Sequence, residues 1–384
     1  MGYSADTQQW RAPLRFVPLV AKSAARRRHE PNNITTHLRS ALDWLCRAQD
    51  QVPGGGVSYG YSIRGGWRAP YRETSGYILT TFLRAADALD DDDLTLRALR
   101  IANWLVEVQN ADGSFANPEY GDGGIVFDTG QVLFGLVRAY QRSGDERFLV
   151  GATRAADWLA EVAIQADHGG RWVTNEHFDT PHAYNTRTAW ALLLADGIAQ
   201  NDAYRSVARA NLDWALECQR SSGFFSNAAF AVGDDPYTHN ISYTTCGLQE
   251  SGWILDEPSY TAAARRCADA TLDLLDDEGF LPGQITVDGA AAARYACLTG
   301  TCQFAIVWAK WFDLTGDGRY QSASRRALRY VMARQDVGAR NPAVRGAIAG
   351  SSPIWGRYAP LSYPNWAAKF FVDAALLQRP WDST

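Results

Sequence analysis

Apolar residues recur along the chain at i, i+3, i+4 and i+7, in two alternating kinds of segment. In the first kind only one face is apolar. Ala98, Ile101, Ala102 and Leu105 form a stripe opposite Arg97, Arg100 and Glu107. That spacing predicts amphipathic helices burying one side, at about 35–50, 93–109, 146–163, 202–219, 258–276 and 318–335. The second kind is apolar nearly all round, as in TCQFAIVWAKWF from Thr301 to Phe312, and predicts helices buried on every side. These fall at about 74–89, 129–142, 185–199, 242–255, 299–314 and 364–377.

The alternation is a repeat with a period of about 55–60 residues. One arm reads Trp44-Leu45…Gln49, Trp104-Leu105…Gln109, Trp158-Leu159…Gln165 and Trp214…Gln219. The other reads Glu73-Thr74-Ser75-Gly76, Asp128-Thr129-Gly130-Gln131, Asn185-Thr186-Arg187, Tyr243-Thr244 and Leu298-Thr299-Gly300. Self-similarity at a fixed period means one supersecondary unit repeated. Six outer helices alternating with six inner ones make an all-α fold, an (α/α)6 toroid. Short turns such as Leu89 to Asp93 and Ser143 to Glu146 link inner to outer helices and carry Asp and Ser as N-caps. The other connections, 51–73, 110–128, 166–184, 220–241, 277–298 and 336–363, are long and share one end of the ring, where they predict a cleft. Residues 34–384 are expected to form one toroid domain, and 1–33 a basic, loosely ordered lead-in.

Composition narrows the function. The net charge of −5 gives no electrostatic reason to expect nucleic acid, and no run is apolar enough to span or insert into a membrane. With no signal core at the start, a cytoplasmic protein is the expectation. The six cysteines show no CxxC pairing, and Cys46 and Cys218 read as core filler. The aromatic load, 14 Trp and 17 Tyr, is concentrated partly in the Gly-rich connections, where rings suit stacking on sugars or enclosing a hydrocarbon.

Gln109-Asn110-Ala111-Asp112-Gly113-Ser114-Phe115 resembles the QW-type repeat of squalene–hopene cyclases and protein prenyltransferase β subunits. Gly169-Gly170-Arg171-Trp172, Ser222-Gly223-Phe224-Phe225 and Glu278-Gly279-Phe280 are weaker echoes. The same general repeat occurs in (α/α)6 glycoside hydrolases, polysaccharide lyases and sugar epimerases. Tyr184 to Trp190, Thr238 to Thr244 and Tyr363-Pro364-Asn365-Trp366 also look like a bacterial family associated with polysaccharide gene clusters. The resemblance implies the toroid fold over about 35–377 and no particular reaction.

Two histidine clusters enter inner helices at matching places: His182-Ala183-Tyr184-Asn185-Thr186-Arg187, and Tyr237 to Tyr243 with His239, followed by Glu250. Either imidazole can take a proton near neutral pH, Tyr184 or Tyr243 can return one, and Arg187, Asn185 and Arg72 can hold a carboxylate. That set fits abstraction of the C5 proton of a uronic acid, giving lyase or C5-epimerase chemistry on an oligo- or polysaccharide. A second reading takes Glu73 and Asp128, equivalent positions about 8–10 Å apart on neighbouring helices, as the acid and base of an inverting glycoside hydrolase, with Glu250 a further carboxylate. The bland alternative makes Glu73 and Asp128 helix N-caps and the histidines loop anchors. An isoprenoid-binding or cyclase-like toroid and a non-catalytic glycan-binding toroid are further readings. Trp67, Arg68, Tyr71, Trp355, Arg357, Tyr358, Tyr363, Asn365 and Trp366 are expected to line the cleft. Lys369 is expected to point into the funnel or to pair with Asp373 at i, i+4. The run Asp90 to Asp93 lies on the wrong face for polyene protonation and reads as a solvated cap. No cofactor motif occurs and no metal is expected; a divalent ion on Asp122, Asp128 or Asp179 is the minor alternative. The sequence leaves the oligomeric state open.

Overall fold

The computed structural model of the protein describes residues 33–119, 121–165, 170–172 and 181–378. Of the sequence expectations, Asp179, Gly169 and the lead-in apart from Asn33 lie outside these residues. Twelve α-helices appear among the described residues: α1 (Ile34–Asp50), α2 (Arg72–Leu89), α3 (Asp92–Glu107), α4 (Val126–Ser143), α5 (Glu146–Gln165), α6 (Thr186–Ala199), α7 (Asp202–Cys218), α8 (Thr238–Leu255), α9 (Pro258–Leu272), α10 (Leu298–Thr315), α11 (Gly318–Met332) and α12 (Asn365–Leu376). The even-numbered helices pack α2–α4–α6–α8–α10–α12 and back onto α2, closing an inner ring. Each inner helix also packs on the outer helix that follows it, and α12 packs on α1. This is the (α/α)6 toroid. No helix among the described residues is long and apolar enough to cross a membrane.

The short turns are built alike. Each inner helix from α2 to α10 ends on a left-handed residue, Asp90, Gly144, Gln200, Asp256 or Gly316. The next residue, Asp91, Asp145, Asn201, Glu257 or Asp317, accepts from the backbone N–H two positions on and caps the outer helix.

At the opposite end the repeated glutamine is a latch. Gln109 Nε2 donates to Gly113 O (2.8 Å) in its own loop and to Gly151 O (2.9 Å) on the next outer helix. Gln49 joins Gly55 O to Arg97 O, Gln219 joins Gly223 O to Ala263 O, and Gln335 joins Gly346 O to His37 O across the seam. An arginine of the next outer helix donates back to the amide oxygen of Gln49, Gln109 and Gln219. Gly113 permits this contact: its φ is +97° and a Cβ there would lie 2.3 Å from Arg154 O.

The long loops are stitched to one another around the mouth. β1 (Gly60–Ser62) pairs with β2 (Gly66–Trp67) in its own loop and antiparallel with β5 (Ser362–Pro364) of the last, Tyr61 opposite Tyr363. β3 (Ala296–Cys297) pairs with β4 (Ser351–Ser352), and Tyr237 bridges to Gln284. A rim tied in this way is a firm setting for side chains at the inner-helix N-termini.

Candidate functional site

Glu73 and Asp128 sit in the first turns of α2 and α4 and are buried. They are not caps. The N-cap positions are Tyr71 and Ile125, neither of which makes a side-chain cap bond, and this corrects the cap reading. Burial pushes the Glu73 carboxyl up from 4.5 to about 7, against the hydroxyls of Tyr71 and Tyr77 and the charge of Arg187, which pull it down. The partly buried Tyr71 phenol is raised well above its ordinary value by desolvation and by the charges of Asp128 and Glu73. One face of the funnel therefore holds two carboxyl groups with a tyrosine hydroxyl in the field of both.

His239, in the first turn of α8, has Nδ1 2.9 Å from Gln303 Oε1 of α10. Ser242 Oγ lies 2.7 Å from the same oxygen. Burial lowers the imidazole to about 3, so the ring is neutral at physiological pH. It lies against Tyr243 (4.3 Å between centroids) and Tyr358 (5.2 Å). His182 is stacked on Tyr184 at 4.6 Å, and Tyr184 meets Phe127 edge-on at 5.3 Å. Asn185 accepts from Thr188 Oγ1 at 3.4 Å.

Arg187 is placed differently from a substrate clamp. It is 5% exposed, and Nε donates to Gln131 Oε1 at 2.6 Å while Nη1 faces Cys246 Sγ at 3.4 Å. Rings from five of the six inner helices surround the guanidinium: Tyr77 (5.8 Å), Phe134 (5.0 Å), Trp190 (5.4 Å), Tyr243 (5.0 Å) and Phe370 (5.6 Å). The cation lies inside the inner ring of helices.

Around the mouth, Tyr59 touches Tyr71 and Trp366, and Arg68 lies 4.0 Å over its ring while ion-pairing with Glu119. Trp366 Nε1 donates to the Tyr358 hydroxyl (2.8 Å), and Tyr358 meets Tyr237. Arg72 Nη1 donates to Ala116 O (2.7 Å). Trp355 stands 43% exposed, and Arg357 reaches Asp234 (3.6 Å).

Other expected cleft residues are occupied in the framework. Glu250 is ion-paired with Lys310 of α10, two turns beyond Tyr243, which removes it from the carboxylate pair. Lys369 points to Asp373 (2.7 Å), which also accepts from Thr81, so the i, i+4 pairing holds in place of a free funnel amine. Burial brings that amine down to about 8. Asn365 donates to Ser58 O and Thr74 Oγ1, tying the last helix to the first loop. Trp67 packs between Tyr61 and the outer-helix Trp44, and Tyr363 is a buried strand residue. Among the described residues no group of three or more His, Cys, Asp or Glu gathers as a metal would require.

Tyr77, Gln131 and Gln303 were missed by sequence reasoning. Their signal was present: Tyr77, Tyr243, Gln303 and Lys369 each lie four residues after Glu73, His239, Thr299 and Asn365. A polar side chain one turn inside an apolar helix marks the face turned to the funnel.

Comparison with known proteins adds to this picture. No family model matches the chain. An unsaturated glucuronyl hydrolase specific for heparin superposes with a TM-score of 0.71 and 13% identity, covering 89% of this chain and 95% of that one. The unsaturated glucuronyl hydrolase of Bacillus sp. GL1, responsible for glycosaminoglycan degradation, gives 0.71 at 16% identity over 90% and 97%. The enzyme from Streptococcus agalactiae gives 0.67 at 12% over 90% of each chain. At such identities the likeness establishes the fold, and the chain shares the (α/α)6 toroid of these hydrolases. A cellobiose 2-epimerase of Ruminococcus albus is 29% identical over 136 residues, 33% of this chain and 32% of the epimerase.

Proposed function

We propose that the protein is a carbohydrate-active enzyme hydrolysing a uronic-acid-containing oligosaccharide, with Glu73 as proton donor and Asp128 as the base that activates water. The observation that carries this reading is the Glu73 carboxyl, buried on the helix next to that of Asp128 and raised to about 7. A group that still holds its proton near neutrality can protonate a leaving oxygen, and a nearby carboxylate can take a proton from water. Adjacent inner helices about 8–10 Å apart suit the separation of the two carboxyls in inverting hydrolysis. The mouth supplies Tyr59, Tyr71, Trp366 and Tyr358 as stacking surfaces and Arg68 and Arg72 as cations for a uronate. Hydrolases named for glucuronyl substrates share this fold, which supports the substrate class.

The test is incubation with oligosaccharides ending in saturated or unsaturated glucuronate, reading new reducing ends. Glu73→Gln is expected to reduce turnover by about 10²–10⁴-fold with the helical circular dichroism unchanged. Full activity in that variant would overturn the assignment.

One observation favours a second reading, C5 proton abstraction by His239. Part of the chain matches a sugar epimerase, and Gln303 braces the ring, but a pKa lowered to about 3 makes this imidazole a weak base and the reading the less favoured of the two. Deuterium entering the uronate from heavy water without new reducing ends, lost in His239→Phe, would establish it in place of hydrolysis.

A further inference from the structure

We propose that Arg187 is a positioning residue for proton transfer at Glu73: a fixed cation inside the inner ring of helices that acts through Tyr77 and Tyr243 and touches no substrate. The inference rests on the reading of Glu73 as the acid, but it concerns a different residue.

Its geometry separates it from a clamp. A clamp presents both guanidinium edges to the ligand, whereas Arg187 is enclosed by five rings and has Nε committed to Gln131. Its hydrogen bonds go to an amide and a thiol rather than to a carboxylate. A buried guanidinium keeps its charge, and aromatic faces attract that charge without neutralising it. The field is therefore available to nearby carboxyls in a low-dielectric interior. Tyr77 is the link, with its ring 5.8 Å from the guanidinium and its hydroxyl at the Glu73 carboxyl. Tyr243, 5.0 Å from the same cation, lies next to Tyr77 and His239.

The other groups facing Glu73 do not supply this charge. Tyr71 and Tyr77 on its own segment are neutral phenols, Arg72 turns to Ala116 O and feels Asp122 and Asp128, and Asp128 on α4 is an acid. On α12, Lys369 is matched by Asp373. α3 packs behind α2, with its acidic first turn, Asp92 and Asp93, at the far end. Arg187 is thus the cation that opposes the upward push of burial on Glu73 and leaves its proton transferable.

Carbon-13 NMR of the full chain carrying carboxyl-labelled glutamate reads the Glu73 titration directly, with the resonance identified by its absence in Glu73→Gln. Arg187→Met is expected to raise the Glu73 pKa by about one unit or more, a tenfold gain in proton affinity, while Arg187→Lys restores most of the difference. If Arg187→Met fails to fold, Arg187→Gln, which removes the charge but keeps a polar side chain to meet Gln131, is expected to move the same resonance upward. An unmoved Glu73 titration in a folded Arg187→Met, or in Arg187→Gln where only that variant folds, overturns the proposal. That result leaves Glu73 as the acid. Loss of the Glu73 assignment itself would appear instead as full turnover in Glu73→Gln.

Discussion

Glu73 is held in a state that opposes folding. Its folded pKa, about 7, lies above the ordinary 4.5, so the folded chain binds the proton more tightly than the unfolded chain does. Stability is therefore highest below about pH 4.5 for this group and falls as pH rises towards 7, by roughly 3 kcal/mol in all. Glu73→Gln removes that penalty. The variant is expected to melt above the wild type at pH 8 and level with it near pH 4, as differential scanning calorimetry would show; equal melting at pH 8 would contradict the raised pKa. Tyr77 acts in the opposite direction, because its hydroxyl stabilises the carboxylate. Tyr77→Phe should push the Glu73 pKa higher still. Since a general acid works only while protonated, the alkaline limb of the pH–rate profile should then move to higher pH. Candidate chemistry at this scale was half legible in the sequence. Glu73, Asp128 and His239 stood out because they recur at matching places in the repeat. Arg187 and Glu250 were given the wrong surroundings because charge and spacing alone do not say which rings or lysines will enclose a side chain.

At the scale of the element, the repeat was readable because its period and its apolar faces are one-dimensional properties. Helix ends came within about four residues, and the larger deviations fall at the two ends of the long loops, where outer helices stop and inner helices start. α8, for example, begins at Thr238 rather than 242. Polar residues such as His239, Asn240 and Ser242 make that first turn look like loop, although tertiary packing buries them. The reason for the Trp…Gln spacing lay beyond the sequence, because the latch is made to the backbone of the next unit. Gln219→Ala leaves two carbonyls without their donor and is expected to cost about 1–3 kcal/mol, measured by urea unfolding. Gly113→Ala forces an L-residue to a φ of +97° with its Cβ against Arg154 O. It should cost at least about 2 kcal/mol; unchanged stability would mean that the loop relaxes away from α5.

For the whole molecule, closure is the controlling fact. The contacts of α12 with α1, α2 and α10 join the two ends of the sequence, and β1–β5 and the Gln335 latch do the same at the mouth. Ending the chain before Asn365 would bare the inner faces of three helices. Such a chain is expected to lose its cooperative thermal transition by circular dichroism and to aggregate on size exclusion; a sharp melt in the monomer would show that the arc stands without closure. The closed ring also makes the break between α12 and α1 one of six equivalent places. Outer helices rise towards the mouth and inner helices descend from it, so α1 begins and α12 ends on the face away from the loops, packed side by side. A short turn built like Ser143–Gly144–Asp145 could join them. Any of the five existing turns could then be opened instead, giving circular permutants that keep every latch and every residue of the mouth.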